Sequence, residues 1–192
     1  IMVTACDKAI TLWDLVSLQV ISTLKAHKDE VRVLHIANDM LFSAGKGGPS
    51  ASSIFSWDFR STNPVDEAER GQDIFSLVIS SIIQSSNKGV LYYGSRNHQV
   101  RRLNMSNMEV LAPFEPPHFD TVTCLASMGD YVISGSKDKN LKLWSVDSAV
   151  KNLKSTSYAH NDYVNALVAG TDQPLFYSGS RNGQVKVGTV NK

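Results

Sequence analysis

At 192 residues, with 42% hydrophobic and 19% charged side chains, the chain is long enough to bury one substantial core. Nineteen basic and eighteen acidic residues leave a formal net charge of +1, which argues against nucleic-acid binding driven by bulk charge and leaves only a local basic patch. Two distant cysteines, Cys6 and Cys124, make neither a zinc framework nor a disulfide scaffold, and no apolar run approaches the ~20 residues of a membrane span.

Both thiols are expected to be free and buried, in a reducing compartment. The start, Ile1-Met2-Val3-Thr4, is not a signal peptide and reads as the middle of a strand. A first strand pair follows through Ala5-Cys6-Asp7-Lys8-Ala9-Ile10-Thr11-Leu12-Trp13-Asp14. A second closing strand is Ile54-Phe55-Ser56-Trp57-Asp58, preceded by a longer loop from Gly45 to Ser53 where a hairpin turn belongs. The segment Pro64 to Gln72 is read as a turn of helix. A weaker copy of the pattern runs from Tyr93 to Asn104, and clear copies run from Ser134 to Ser145 and from Ser178 to Gly188.

The closing positions are Trp13, Trp57, Leu103, Trp144 and Gly188, spaced by 44, 46, 41 and 44 residues. A period of 40–45 with Trp-Asp endings is the signature of propeller blades. Three histidines keep the same phase: His27, His118 and His160 each precede a short apolar strand, starting at Val31, Val122 and Val164. The strands are short, rich in Val, Ile, Leu and Tyr, and bounded by Gly, Asp, Asn and Ser. Lys137-Asp138-Lys139-Asn140 and Arg181-Asn182-Gly183-Gln184 read as tight hairpin turns. The expected class is all-β throughout 1–192, with blade ends near 14, 58, 104, 145 and 189.

This pattern resembles the WD-repeat (WD40) β-propeller family. The resemblance implies, in each blade, a hydrogen-bonded set of His, Ser or Thr, Asp and Trp, in which paired polar groups under a large ring hold one geometry. Carried onto this chain, the set is complete once: His118, Asp138 and Trp144, with Ser134 or Ser136 as the hydroxyl. The first blade keeps Asp7 and Trp13; the next keeps His27 and Trp57. The blade ending at Leu103 has no His and carries Asn97 for Asp. The last keeps His160, with Asn182 for Asp and Gly188 for Trp. Arg102 falls where Leu12, Leu143 and Val187 stand, a place expected to be buried, so it lines a polar pocket or the register there is off by one. The length makes about four and a half blades of four antiparallel strands. Such propellers mostly close with seven, so the remaining blades are expected from the same longer polypeptide.

Catalysis is not expected. The network accounts for three histidines, His98 is a turn residue, His35 stands alone, and no nucleophile–base pair emerges. The run Gly45-Lys46-Gly47-Gly48-Pro49-Ser50 lacks the spacing of a phosphate loop and reads as a flexible insertion. No metal or cofactor is implied. Binding is the better class, because loops on a rigid scaffold carry recognition. In the family, the residue before each turn Asp or Asn faces the narrow mouth of the central channel. Here those residues are Cys6, Arg96, Lys137 and Arg181. Beside them the loops after the histidines offer Lys28, Glu30, Phe119, Asn161 and Tyr163. Cations interleaved with aromatic rings suit an acidic peptide.

A narrower resemblance runs from Phe114 to Gly188. Phe114-Glu115-Pro116-Pro117-His118-Phe119-Asp120 and Ala159-His160-Asn161-Asp162-Tyr163-Val164-Asn165-Ala166-Leu167 are similar to the C-terminal propeller of long-tailed kinesin-4 motors. It implies a cytoplasmic, cytoskeleton-associated tail that binds microtubules or cargo, with acidic tubulin tails as a fitting partner for a basic rim. The alternative is a substrate receptor of a ubiquitin ligase or other multiprotein complex, holding an acidic or phosphorylated peptide in the same place.

Overall fold

The computed structural model of the chain describes residues 1–37, 39–47, 51–70, 73–80, 89–146, 152–156, 159–170 and 173–190. Among these residues every regular element is a strand. The first sheet holds β1 (Met2–Cys6), β2 (Ala9–Trp13) and β3 (Val20–Leu24). The second holds β4 (Val31–Ala37), β5 (Met40–Gly45), β6 (Ser52–Asp58) and β7 (Asp66–Arg70). The third holds β8 (Ile74–Ser80), β9 (Val90–Ser95), β10 (Val100–Asn104) and β11 (Glu109–Leu111). The fourth holds β12 (Val122–Met128), β13 (Tyr131–Ser136), β14 (Leu141–Ser145) and β15 (Asn152–Thr156). The fifth holds β16 (Val164–Ala169), β17 (Leu175–Ser180) and β18 (Val185–Thr189). In every sheet the strands pair in chain order, so each is an antiparallel meander.

The chain forms two compact units, Ile1–Phe75 and Ser76–Lys192. Within the first, Ile10, Leu12 and Leu24 of the first sheet pack on Val31, Leu41, Phe55 and Trp57 of the second. Within the second, Tyr92 and Val100 of the third sheet meet Val122, Val132 and Trp144 of the fourth. Phe114, on the connection between them, is stacked between two rings, 5.7 Å from Tyr92 and 4.9 Å from Trp144, with planes within 11° of parallel. A third core joins Cys124 and Leu141 to Ala159 and Val164. The core therefore lies between sheets, and each third-strand tryptophan is a main part of it. Burying one such ring contributes roughly 5 kcal/mol at ~25 cal/mol per Å² of apolar surface.

Backbone hydrogen bonds also join successive sheets within a unit. Asp7 O accepts from Val31 N at 2.7 Å, His98 O from His118 N at 3.0 Å, and Lys139 O from His160 N at 3.2 Å. Each acceptor is a hairpin-turn residue with positive φ, at 51°, 71° and 71°. In the fifth sheet the turn has Gly183 at φ 84°, a conformation that glycine adopts without the steric cost of a β-carbon.

Several expectations change here. The described part of the segment 64–72, residues 64–70, forms no helical turn: Asp66–Arg70 is β7, pairing Ile54 with Ala68 and Phe55 with Glu67. Ala68 is buried, while Asp66 and Glu67 are exposed and Glu69 is half-buried, so the charges mark an edge strand. Gln72 lies outside the described residues. The loop read as Gly45–Ser53 is shorter, because Gly45 closes β5 and β6 starts at Ser52; Gly48, Pro49 and Ser50 lie outside the described residues. The register at Arg102 stands, since Leu103 pairs with Leu91 as Trp144 pairs with Val132. Arg102 is only partly buried. Its guanidinium lies 5.4 Å from the Phe114 ring centroid, and its Nε donates to Ala112 O at 3.1 Å. Of the two thiols, Cys124 is buried and Cys6 is exposed.

Candidate functional site

The fourth sheet assembles the network that positions the loop around His118. Trp144 Nε1 donates to Ser134 Oγ at 2.8 Å, and Ser134 Oγ lies 2.7 Å from His118 Nε2. The hydroxyl accepts the indole proton, so its own proton goes to Nε2. Nδ1 then carries the ring proton and donates a hydrogen bond to Asp138 Oδ2 at 2.8 Å. Asp138 also accepts from Phe119 N and Asn140 N, both at 2.9 Å. Burial raises the Asp138 pKa, but the bonds from His118, Phe119 and Asn140 outweigh it and hold the carboxyl at about 2. Ser136 serves elsewhere: its hydroxyl donates to Asp120 O at 3.0 Å and accepts from Asp138 N at 3.1 Å.

A buried lysine supports the same loop. Lys142, 4% exposed, donates from Nζ to Pro116 O at 2.8 Å and Pro117 O at 2.6 Å, just before His118. Burial pushes its pKa down, and Asp138 and Glu115 push it back. In the fifth sheet Lys186 Nζ donates likewise to Ala159 O at 2.5 Å, just before His160.

The other sheets carry parts of the set. In the second, Trp57 Nε1 donates to Ser43 Oγ at 2.7 Å and His27 Nε2 lies 2.8 Å from the same hydroxyl. In the fifth, His160 Nε2 lies 2.8 Å from Ser178 Oγ. Among the described residues the buried Nδ1 atoms of His27 and His160 have no partner, since no carboxylate reaches them. In the first, Trp13 Nε1 donates to Thr4 Oγ1 at 2.8 Å, while Asp7 is exposed in the turn. In the third, Tyr93 fills the serine place and Leu103 the tryptophan place, both fully buried. The hydroxyls Thr4, Ser43 and Ser178 were not foreseen. Their signal was available: each directly precedes an Ala or Gly on its strand, as Ser134 precedes Gly135.

At the rim, Lys137 N donates to Thr121 O at 3.0 Å and Arg181 N to Tyr163 O at 2.9 Å, so both follow their second strands at the same place. The structure brings their charges to one ring. Lys137 Nζ lies 5.8 Å and Arg181 Cζ 5.4 Å from the Tyr163 centroid. Arg96 is exposed directly after β9. Phe119 is 83% exposed, with Lys142 Nζ 6.0 Å from its ring, and Asn161 is exposed at the matching place after His160. Lys28 is exposed in the first unit, on the loop before β4. Cys6 is not a member of this set. Because Thr4 bonds Trp13 as Ser134 bonds Trp144, Cys6 takes the place of Ser136, and Asp7 follows the strand. Lys46 does belong to it: its N donates to Glu30 O at 2.9 Å, and its Nζ pairs with Asp29 at 3.2 Å. Among the described residues no three His, Cys, Asp or Glu side chains gather as metal ligands.

Antiparallel three- and four-stranded sheets, with a hydroxyl bonded to a third-strand indole or a pre-strand histidine, define a partial β-propeller of WD repeats. The family model "WD domain, G-beta repeat" matches residues 111–145 and 151–187, and the chain carries WD40 repeats. Among similar proteins, "Kinesin-like protein KIF21A" of Homo sapiens is 30% identical over 191 residues, covering 93% of this chain and 11% of that protein. "Kinesin-like protein KIF21B" of Mus musculus is 28% identical over 171 residues, covering 86% and 10%. "Periodic tryptophan protein 2" of Saccharomyces cerevisiae is 38% identical over 78 residues, covering 39% and 8%. The chain thus matches about a tenth of the length of the kinesin-like proteins. The crystal structure of the computationally designed Ika8 protein has the same fold, with a TM-score of 0.75 at 21% identity, covering 97% of this chain and 54% of that one.

Proposed function

We infer that the WD40 repeats make this chain a protein-interaction scaffold. We propose that it is non-catalytic and that its basic rim receives an acidic peptide, in the manner of a kinesin tail that engages microtubules or cargo. The observation that carries this reading is the pair of cations, Lys137 after β13 and Arg181 after β17, that both meet one ring, Tyr163. A carboxylate arriving there gains charge-assisted bonds from an ammonium and a guanidinium that are already partly fixed. Exposed Phe119 and Asn161 offer further contacts on the neighbouring loops. The kinesin-like relatives favour a cytoplasmic, cytoskeletal setting over a ligase receptor. Acidic tubulin tails then become the first partner to test.

The experiment is co-sedimentation of the full chain with microtubules, with and without their acidic tails, across a salt series. Pelleting that needs the tails and weakens with salt is expected. The triple variant Arg96→Glu, Lys137→Glu, Arg181→Glu should stay in the supernatant with an unchanged melting temperature. Tail-independent pelleting, or full binding by the triple variant, overturns the reading.

A further inference from the structure

We propose that the cleft between the fourth and fifth sheets is a slot for the indole ring of a tryptophan on a partner polypeptide. In the fourth sheet the facing pair is Val132 and Trp144; at the same register in the fifth it is Phe176 and Gly188. The large ring has moved from the third strand to the second. A β-carbon on Gly188 would come within 2.2 Å of Phe176 Cζ, so the Phe176 ring lies over the glycine. The exchange leaves space, a half-enclosed pocket of about 450 Å³ lined by Leu141 and Leu143 on one side and Phe176, Ser178, Lys186 and Gly188 on the other.

What remains around that space is the set of groups that holds an indole elsewhere in this chain. Ser134 and Ser43 each accept a tryptophan N–H while bonded to a histidine Nε2. Ser178, 1% exposed, keeps the histidine bond and, among the described residues, has no indole donor. Its oxygen therefore retains an unused acceptor site facing an apolar cleft. Lys142 Nζ stands 5.7 Å from the Trp144 centroid, and Lys186 occupies the matching place opposite Ser178, as Lys142 does opposite Ser134. An incoming indole meets the same three partners as Trp144: a hydroxyl for its N–H, an ammonium toward its face, and an apolar wall. Phenylalanine satisfies only the last two. The slot is independent of the rim, so failure of either reading leaves the other standing.

The test is an amide NMR titration of the full chain with N-acetyltryptophanamide, indole and 1-methylindole. Saturable shifts centred on Gly188 and Ser178 are expected for the first two. The 1-methyl compound should bind about five-fold more weakly, because it cannot donate to Ser178. The double variant Phe176→Val, Gly188→Trp rebuilds the neighbouring sheet's pair and should abolish the shifts. If that variant fails to fold, Ser178→Ala serves instead, and should bind indole and 1-methylindole alike. Absence of saturable shifts, equal binding of the methylated ring to the unaltered chain, or binding of indole but not of N-acetyltryptophanamide overturns the proposal.

Discussion

His118 Nδ1 donates a hydrogen bond to Asp138 Oδ2 at 2.8 Å, whereas the buried Nδ1 atoms of His27 and His160 have no partner among the described residues. One carboxylate separates a satisfied network from two incomplete ones. Replacing Asp138 with Ala removes the acceptor of three hydrogen bonds, from His118, Phe119 and Asn140. It should cost about 2–4 kcal/mol in urea unfolding. The reverse change is available in the fifth sheet. Asn182→Asp places a carboxylate at the turn position that corresponds to Asp138 and should add about 1 kcal/mol by engaging His160. A neutral or destabilising Asn182→Asp would mean that the His160 ring is held too far from that turn.

The same groups set the pH dependence. Burial alone lowers the His27 pKa from its ordinary 6.5 to about 4. Between those values the unfolded chain binds a proton that the folded chain refuses, so stability falls as the pH drops from 6.5 to 4. His35 and His160 shift in the same direction, also mainly by burial, and add to the slope. Asp138 acts lower. Its stabilisation is complete above the ordinary carboxylate value of 3.8 and is lost as pH falls toward about 2. Urea midpoints should therefore decline below pH 6.5 and decline again below pH 4. His27→Gln should flatten the upper limb and leave the lower one. An unchanged upper limb would assign that titration to other groups.

How much of this could be read from the residues depended on where the information sat. Trp13, Trp57 and Trp144 announced the period because large rings, two of them fully buried, and their polar partners recur at nearly fixed offsets. Ser134 and Ser136 could not be separated, since they lie two apart on one strand and share a face; the structure decides by sending Ser136 to Asp120. Cys6 reads as a rim residue only because it directly precedes Asp7 in the turn. The first-sheet hairpin joins Ala5 to Ile10, one residue shorter than the Gly135 to Leu141 turn, which moves every place before it. Lys46 was hidden inside a glycine run. Gly45 is required there because a β-carbon would lie 2.0 Å from Glu30 O, so that glycine reports close packing of β4 on β5. Phe114 has no equivalent in the other repeats, and periodicity alone gives no notice of a ring stacked between sheets.

The two cysteines should differ sharply in reactivity. Cys6 is exposed. Cys124 is buried against Val164 O, with Sγ at 3.8 Å, and burial pushes its thiol up to about 12, against hydrogen bonds from Thr123 and Gly135 that act to lower it. The thiolate is the reacting species, so Cys124 is protected twice, by access and by protonation. With a thiol reagent at pH 8, one equivalent should react promptly and the second only at the rate of unfolding. Cys6→Ser should remove the fast phase. Prompt reaction of both thiols would show that the cleft around Cys124 opens in the folded chain.

Tyr163 provides the finest test of the rim, because it carries no formal charge of its own. Its ring lies beneath Lys137 and Arg181, and its backbone N accepts no change from a side-chain substitution, remaining bonded to Asp162 Oδ1 at 2.8 Å. Tyr163→Leu keeps an apolar body but removes the π face that holds both cations. It should weaken capture of an acidic peptide about three- to ten-fold, while Tyr163→Phe, which keeps the face, should bind as the unaltered chain does. Fluorescence anisotropy of a labelled glutamate-rich peptide at low salt reads this directly, and raising the salt should shrink the difference. Unchanged affinity of both the Leu and the Phe variants would show that the two cations act without the ring between them. A loss shared by both variants would instead assign the effect to the phenolic hydroxyl.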